Sequence, residues 1–410
     1  MELNFAKRMA SIKASEIREI LKVTEQEEVI SFAGGLPAPE LFPLGEIDEV
    51  SRIVLKEAGA KALQYTTTEG YAPLREWIAN RMNARLGTAF DRDNIVITHG
   101  SQQGLDLSGK VFLDEGDCVL CESPTYLAAI SAFRAYGCRF VEIPTDEQGM
   151  DMGALEEALG CTKRCKLIYV IPTFQNPTGR TWSLQRRKEL AELAARYGVA
   201  VVEDNPYGEL RFEGVSLPAV KAFDRAGNVL CAGSFSKIFC PGLRIGWMAG
   251  EKSLIRRYVL VKQGTDLQCN TLAQLTIAAY LERYDMDAHI ARIVQVYRKR
   301  RDVALECVER YFPQGVRFTR PEGGLFMWVE LPEGISARDI LVKCLEKKIA
   351  FVPGGAFYPA GNRENTLRIN FSNMPEERLA EGLRVMGGVI GDFIGASAGH
   401  CSGDRRREQR

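Results

Sequence analysis

A lysine that follows two serines is the residue of this chain best placed to do chemistry. Lys237 comes after Ser234 and Ser236 and before Arg244, directly behind the apolar run 229–232. A lysine that is partly desolvated near other cations can lose its proton and attack carbonyl groups. Hydroxyl groups and a guanidinium suit a bound anion. The segment indicates a Schiff-base lysine beneath a phosphate, although a lysine taken alone is more often a solvated surface charge.

Two further motifs each follow an apolar run that reads as a strand. The sequence is Asn-Pro-Thr-Gly at 176–179, after the run 167–171, and Asp-Asn-Pro-Tyr at 204–207, after the run 199–202. With the lysine segment, these motifs resemble in order and spacing the pyridoxal-phosphate aminotransferases of fold type I, class I/II, from about residue 31 to about 390. The segment 31–43 is similar to the subgroup that holds 2-aminoadipate and related broad-specificity transaminases.

The elements around these motifs alternate between strand and helix. Short apolar runs separated by helices are typical of a mostly parallel sheet covered on both faces, and ligands bind at the carboxyl ends of such strands. The fold expected is α/β, with a large domain built on a mostly parallel seven-stranded sheet and a smaller α+β domain. The predicted strands are 95–98, 118–122, 139–143, 167–171, 199–203, 229–232 and 245–250.

The predicted division of the chain has four parts. Residues 1–45 form an N-terminal arm and loop that belong with the small domain, and residues 46–300 form the large cofactor-binding domain. Residues 301–395 form the C-terminal small domain, with a closing helix over 375–393. The arginine-rich residues 396–410 are expected to be a disordered tail.

The resemblance implies roles around a pyridoxal 5'-phosphate cofactor. Asp204 would keep the ring nitrogen protonated, which pyridoxal needs if it is to accept electrons from the substrate. Tyr207 and Asn176 would bond the phenolic oxygen of the ring. Lys237 would form the internal aldimine and, once released by the substrate, act as general base at the substrate Cα.

The family pattern also assigns the phosphate and one subunit contact. A helix that opens at 100–102 directly after a strand offers free N–H groups to an anion, and Tyr126 matches the position that stacks on the ring. Tyr71 resembles the tyrosine that reaches the phosphate of the neighbouring subunit, so a homodimer is expected. The predicted phosphate-binding residues are Gly100, Ser101, Gln102, Ser234, Ser236 and Arg244.

The substrate α-carboxylate requires a planar, bidentate donor, which arginine provides. Arg368 occupies the family position for that arginine, although on a strand it could also be a surface ion pair. Gly35 and Asn176 would lie near the same carboxylate. Arg18, on the N-terminal arm, is a candidate for holding the distal acid of glutamate or 2-aminoadipate, and its alternative role is that of a solvated surface charge.

Composition excludes several other classes of protein. Lysine plus arginine number 53 and aspartate plus glutamate 53, so no global field favours nucleic acid or a membrane surface. The chain has no apolar signal core and no apolar run of membrane-spanning length, which predicts a cytoplasmic protein. Its eleven cysteines are not paired with histidine clusters, and there are only three histidines. No metal site is expected.

The sequence therefore predicts an aminotransferase, with two alternatives left open. It would move an amino group between an α-amino acid (2-aminoadipate, glutamate, aromatic or branched-chain) and a 2-oxo acid, with 2-oxoglutarate expected. A lyase or decarboxylase would keep the same cofactor and motifs. The other alternative is the effector-sensing half of a transcription regulator, but such regulators carry a winged-helix module ahead of this region, and only about thirty residues precede it here.

Overall fold

The structure, a computed structural model, describes residues 3–10, 28–361 and 363–404. Strands β1 to β14 of this part of the chain are Ile30–Ser31, Ile95–His99, Cys118–Ser123, Arg139–Asp146, Gly149–Met150, Cys165–Val170, Ala200–Asp204, Val229–Ser234, Ile245–Ala249, Arg317–Phe318, Phe326–Glu330, Ile349–Ala350, Val352–Pro353 and Thr366–Asn370. Helices α1 to α11 are Leu44–Ala62, Ala72–Leu86, Gly100–Phe112, Leu127–Arg134, Met152–Cys161, Leu184–Tyr197, Lys252–Gln263, Thr271–Arg283, Met286–Tyr311, Ala337–Glu346 and Glu376–Asp404.

The larger sheet is mostly parallel, as predicted, in the order β2-β9-β8-β7-β6-β3-β4-β5. Its interior pairs from β4 to β8 are parallel, whereas β9 runs antiparallel to both β8 and β2. The predicted count of seven strands is one too low. The extra strand is β5, only two residues long, which turns back antiparallel on the end of β4. Two residues are too few to produce a hydrophobic period.

Both faces of this sheet are buried, because successive side chains along a strand pack into hydrophobic clusters on opposite faces. In β6, Leu167 and Tyr169 pack into one hydrophobic cluster, while Ile168 and Val170 pack into a second cluster on the opposite face. Successive side chains of a strand point to opposite faces, so a strand covered by helices on both sides must be apolar throughout. This burial fixes the strand ends, where the predicted site residues lie.

A smaller antiparallel sheet, in the order β10-β11-β14-β13, is built from the C-terminal part of the chain. Near the N-terminus, β1 pairs with β12, so the segment before α1 joins this C-terminal part. On this distribution of strands, we propose the division into a large unit over 46–300 and a small unit over 301–395 with residues 1–45.

The closing helix differs from the prediction. It was expected to end at Phe393 and to be followed by disorder from Ala396, but α11 continues to Asp404. Residues 395–399 include two glycines, which disfavour a helix, and two alanines, which favour one, so composition alone does not locate the helix end. Residues 405–410 lie outside the described part. Among the residues described, no helix is long and apolar enough to cross a membrane.

Candidate active site

A cavity of about 250 Å³ lies where the ends of β6, β7 and β8 meet the start of α3 and residues of the smaller sheet. It brings together all the predicted site residues except Tyr71 and Arg18. The predicted residues that line it are Gly35, Gly100, Ser101, Gln102, Tyr126, Asn176, Asp204, Tyr207, Ser234, Ser236, Lys237, Arg244 and Arg368.

Lys237 reaches the cavity from the turn that follows β8. Its Nζ donates a hydrogen bond of 2.6 Å to the carbonyl oxygen of Gly35. Desolvation, aided by the positive charges of Arg368 and Arg244, lowers the pKa of the lysine to about 8. With this pKa, roughly a tenth of the amine is unprotonated at pH 7, and the unprotonated form is the one that attacks carbonyl carbon.

Asp204 ends β7 with a buried carboxylate that has one oxygen engaged and one free. Tyr169 donates to Oδ2 at 2.9 Å, while Oδ1 has no hydrogen-bond partner among the described residues. Burial raises the pKa of this carboxyl to about 7, and the bond from Tyr169 opposes that rise. A buried oxygen left unpartnered costs free energy, so it fits a ligand that brings a donor. A protonated pyridine nitrogen is such a donor.

The opposite end of the cavity is built for an anion. Gly100 opens α3 with a positive φ of 68°, and a Cβ there would lie 2.5 Å from Nη2 of Arg244, so glycine lets the guanidinium come close to the helix start. Ser234 donates to Ser236 at 2.9 Å. Unpaired N–H groups of the first helical turn, two hydroxyls and one guanidinium form a cup suited to a phosphate.

Arg368 reaches the cavity from β14 of the other sheet and is buried. It donates to Oδ1 of Asn176 at 2.8 Å and to the carbonyl oxygen of Ala33 at 2.6 Å. Its guanidinium carbon lies 4.1 Å from the ring centre of Phe326 and 5.0 Å from that of Phe357. Desolvation lowers its pKa to about 10, so it stays charged near neutral pH. The alternative of a surface ion pair is wrong for this arginine.

The remaining predicted residues have different outcomes. Tyr126 lines the cavity at the start of α4, and Asn176 donates to the hydroxyl of Tyr207 at 3.4 Å. Tyr71 does not line the cavity of its own chain: its backbone N–H bonds Gln274 at 2.8 Å. Arg18 lies outside the described residues.

Among the contributors that were not predicted, two contact predicted residues directly. Tyr169 bonds Asp204 from the neighbouring strand, and Phe326 lies under Arg368 from the smaller sheet. A signal for Tyr169 exists, since it lies inside a buried apolar run where a hydroxyl needs a partner. The sequence does not say which strand lies beside β7, so that partner could not be assigned.

One group beside the anion cup has the ligand types of a metal site. The ligand atoms of His99, Asp266 and Cys269 all lie within 4.8 Å of one another. The buried Lys262 donates to both carboxylate oxygens of Asp266, at 2.6 and 2.7 Å. An ammonium therefore already occupies the position at which a cation would meet this carboxylate.

The chain matches the family model of aminotransferase class I and II over residues 43–386. It is 47% identical to aromatic-amino-acid aminotransferase 1 of Thermococcus litoralis, over 95% of this chain and 94% of the relative. A crystal structure of a multiple substrate aminotransferase from Thermococcus profundus superposes with a TM-score of 0.91 at 45% identity, covering 96% and 98% of the two chains. An alpha-aminoadipate aminotransferase from Thermus thermophilus, complexed with N-(5'-phosphopyridoxyl)-L-leucine, superposes with a TM-score of 0.89 at 42% identity, covering 96% and 98%.

The fold and the site together define a pyridoxal-phosphate enzyme of fold type I. The chain belongs to the class I and II aminotransferases. It is a pyridoxal-phosphate-dependent aminotransferase that acts on amino acids and 2-oxo acids, and these relatives support neither the lyase nor the sensor alternative.

Proposed function

We propose that this enzyme transfers the amino group of amino acids with aromatic or other large apolar side chains to 2-oxoglutarate, and that it accepts 2-aminoadipate and glutamate as a second substrate group. The preference for apolar side chains rests on the number of positive charges that line the cavity. Lys237, Arg244 and Arg368 are the cationic side chains among the described residues that line it. Lys237 is proposed to bind the cofactor, Arg244 its phosphate and Arg368 the substrate α-carboxylate. None of these three side chains is therefore left to bind a second carboxylate on the substrate side chain.

The apolar part of the wall supports the same preference. Leu127, Ile171 and Phe326 line the cavity, and a side chain placed against them gains by burying apolar surface. The relatives named for aromatic, multiple and alpha-aminoadipate substrates span the same range. An acidic substrate, including the acceptor 2-oxoglutarate, would need a further cation, for which Arg18 is the candidate.

The side chains of the cavity are proposed to hold the cofactor at four places: the ring nitrogen, the ring oxygen, one ring face and the phosphate. When bound, pyridoxal phosphate supplies an electron-withdrawing ring that spreads the charge left when the substrate Cα loses its proton. Asp204 Oδ1 would accept from the ring nitrogen and keep it protonated. Tyr207 and Asn176 would donate to the ring oxygen, and Tyr126 would cover one face of the ring. The cup formed by the start of α3, Ser234, Ser236 and Arg244 would hold the phosphate.

Lys237 then has two proposed tasks in turn. Its amine would hold the resting cofactor, and when free, Nζ would accept the proton from the substrate Cα. Arg368 fixes the α-carboxylate by its two Nη groups, so that the Cα proton faces the amine. This orientation matters because proton transfer requires contact at hydrogen-bond distance.

Arg368→Lys should lower kcat/KM for all amino acids by roughly 10²-fold, since it keeps the charge but loses the bidentate fork and the stacking on Phe326. Arg317→Lys is the matched control, because Arg317 lies on the same sheet with its side chain 77% exposed. Steady-state rates of both variants would be compared with wild type. An unchanged kcat/KM in Arg368→Lys would contradict the assignment.

The donor half-reaction, measured for a panel of amino acids with no 2-oxo acid added, tests the substrate proposal. Phenylalanine and leucine should react well, and Arg18→Ala should slow the half-reactions of 2-aminoadipate and glutamate by about tenfold or more while sparing those of the apolar donors. An equal loss for leucine would remove Arg18 from side-chain recognition. Failure of phenylalanine to react would overturn the proposed preference.

We infer that the enzyme acts as a homodimer, with Tyr71 contributed to the cavity of the partner subunit. The support is that Tyr71 is partly exposed and does not line its own cavity, although it matches the family position for a phosphate contact. Sedimentation at assay concentration should give a dimer, and Tyr71→Phe should weaken cofactor binding without changing the sedimentation coefficient. A fully active monomer would contradict this inference.

A further inference from the structure

A second cavity, of about 260 Å³, lies behind the lysine segment, where Ser234 and Pro206 line both cavities. We propose that this rear cavity binds a small aromatic carboxylate that also carries a hydroxyl or N–H group. Its volume is just below the range of about 300–1,000 Å³ typical of ligand pockets, so it suits a single-ring molecule. The proposal does not depend on which amino acid the enzyme transaminates.

Polar atoms of three lining residues lack partners. Trp247 Nε1, Arg211 Nε and Asn205 Oδ1 are buried and have no hydrogen-bond partner within the described chain. The Arg211 side chain is only 10% exposed, and its Nη1 is engaged with Glu322 at 3.0 Å. Buried polar groups without partners are costly, and three in the walls of one cavity indicate a place for a polar ligand.

These atoms define the ligand by their hydrogen-bonding capacity. Indole Nε1 and guanidinium Nε are donors only, so the walls of the cavity contain two unused donors, a number that suits a carboxylate. Asn205 Oδ1 is an acceptor and calls for an O–H or N–H on the ligand. Arg81 and Arg85 also line the cavity, and both form ion pairs with the carboxylate of Asp287, at 2.7 and 2.8 Å. Arg85 therefore shares its acidic partner with a second cation.

The walls favour a flat ring. Trp77 and Trp247 line the cavity, and Phe235 of the lysine segment packs between them, with ring centroids 5.9 and 5.3 Å away. Aromatic rings pack well against one another in offset or edge-to-face arrangements. A planar ligand can therefore extend this row of rings while its carboxylate meets the donors.

The test is a calorimetric titration of the holoenzyme with 4-hydroxybenzoate, which has the ring, carboxylate and hydroxyl but neither an amino nor a 2-oxo group. Ala291→Trp should weaken binding at least tenfold, because Ala291 lines the cavity from an exposed position of α9, where a large side chain closes the space without entering the core. Ala288→Trp, on the same helix and also exposed but not lining the cavity, should bind as wild type does.

Further variants and a second ligand test whether binding occurs in the rear cavity or in the active site. Trp247→Phe should weaken binding several-fold by removing one donor while keeping a ring. Benzoate, which lacks the hydroxyl, should bind more weakly than 4-hydroxybenzoate. Binding that is lost in Arg368→Lys but kept in Ala291→Trp would place the ligand in the active site and overturn the proposal. No binding to the wild-type holoenzyme would overturn it as well, and would mean that the rear cavity holds solvent.

Discussion

Lys237→Ala should lower the rate of amino transfer by roughly 10⁴-fold or more, because it removes both the amine that attaches the cofactor and the base that moves the Cα proton. The variant should still bind pyridoxal phosphate, since Asp204 and the anion cup remain. Borohydride reduction followed by mass spectrometry should no longer fix the cofactor to the chain.

Lys237→Arg is the matched control for charge. A guanidinium stays protonated, so this variant keeps the positive charge but cannot serve as a base. We expect it to be as inactive as the alanine variant. Retention of wild-type turnover by either variant would remove Lys237 from the mechanism.

The lowered pKa of Lys237 should also be visible in the wild-type enzyme, as a pH dependence of covalent cofactor capture. Because desolvation and the two arginines lower its pKa to about 8, the nucleophilic, unprotonated amine is the minor form below that pH and the major form above it. The rate at which apoenzyme captures added pyridoxal phosphate covalently should rise with pH, with a midpoint near pH 8. A midpoint near the ordinary lysine value of about 10.4 would contradict the lowered pKa.

Asp204→Ala should reduce kcat by roughly 10²–10³-fold, the scale expected when one partner of a buried charge pair is removed. Without the carboxylate, the ring nitrogen loses the group that keeps it protonated, and the substrate Cα becomes less acidic. Cofactor affinity should fall in parallel. Both quantities follow from steady-state kinetics and a fluorescence titration of the apoenzyme.

Glu203→Gln is the control on the same strand. Glu203 is also buried, but it accepts from the backbone of Val220 and Lys221 outside the cavity, so its loss should affect stability and not turnover. Tyr169→Phe should have an intermediate effect, since it leaves the carboxylate in place and removes only the bond to Oδ2. Equal kinetics for Asp204→Ala and Glu203→Gln would refute the role of Asp204.

The chemistry-bearing residues and the strands before them could be read from the chain alone. Short apolar runs that alternate with helical segments favour strands buried on both faces, and in a parallel sheet the residues just after such strands gather at one edge. The sequence therefore assigns Lys237, Asp204 and Asn176 to one edge of the sheet. The family motifs added their roles.

Other features depended on neighbours that lie far away in sequence. Arg368 enters the cavity from a different sheet, Tyr169 bonds Asp204 from the adjacent strand, and the rear cavity joins residues of α2, α9 and the segment after β7. Strand order and the packing of one sheet against the other are set by the summed burial of many side chains, which no local window contains. Periodicity in the sequence therefore identifies the strands and their terminal residues. Tertiary packing decides which side chains complete the active site, and it forms the second cavity behind that site.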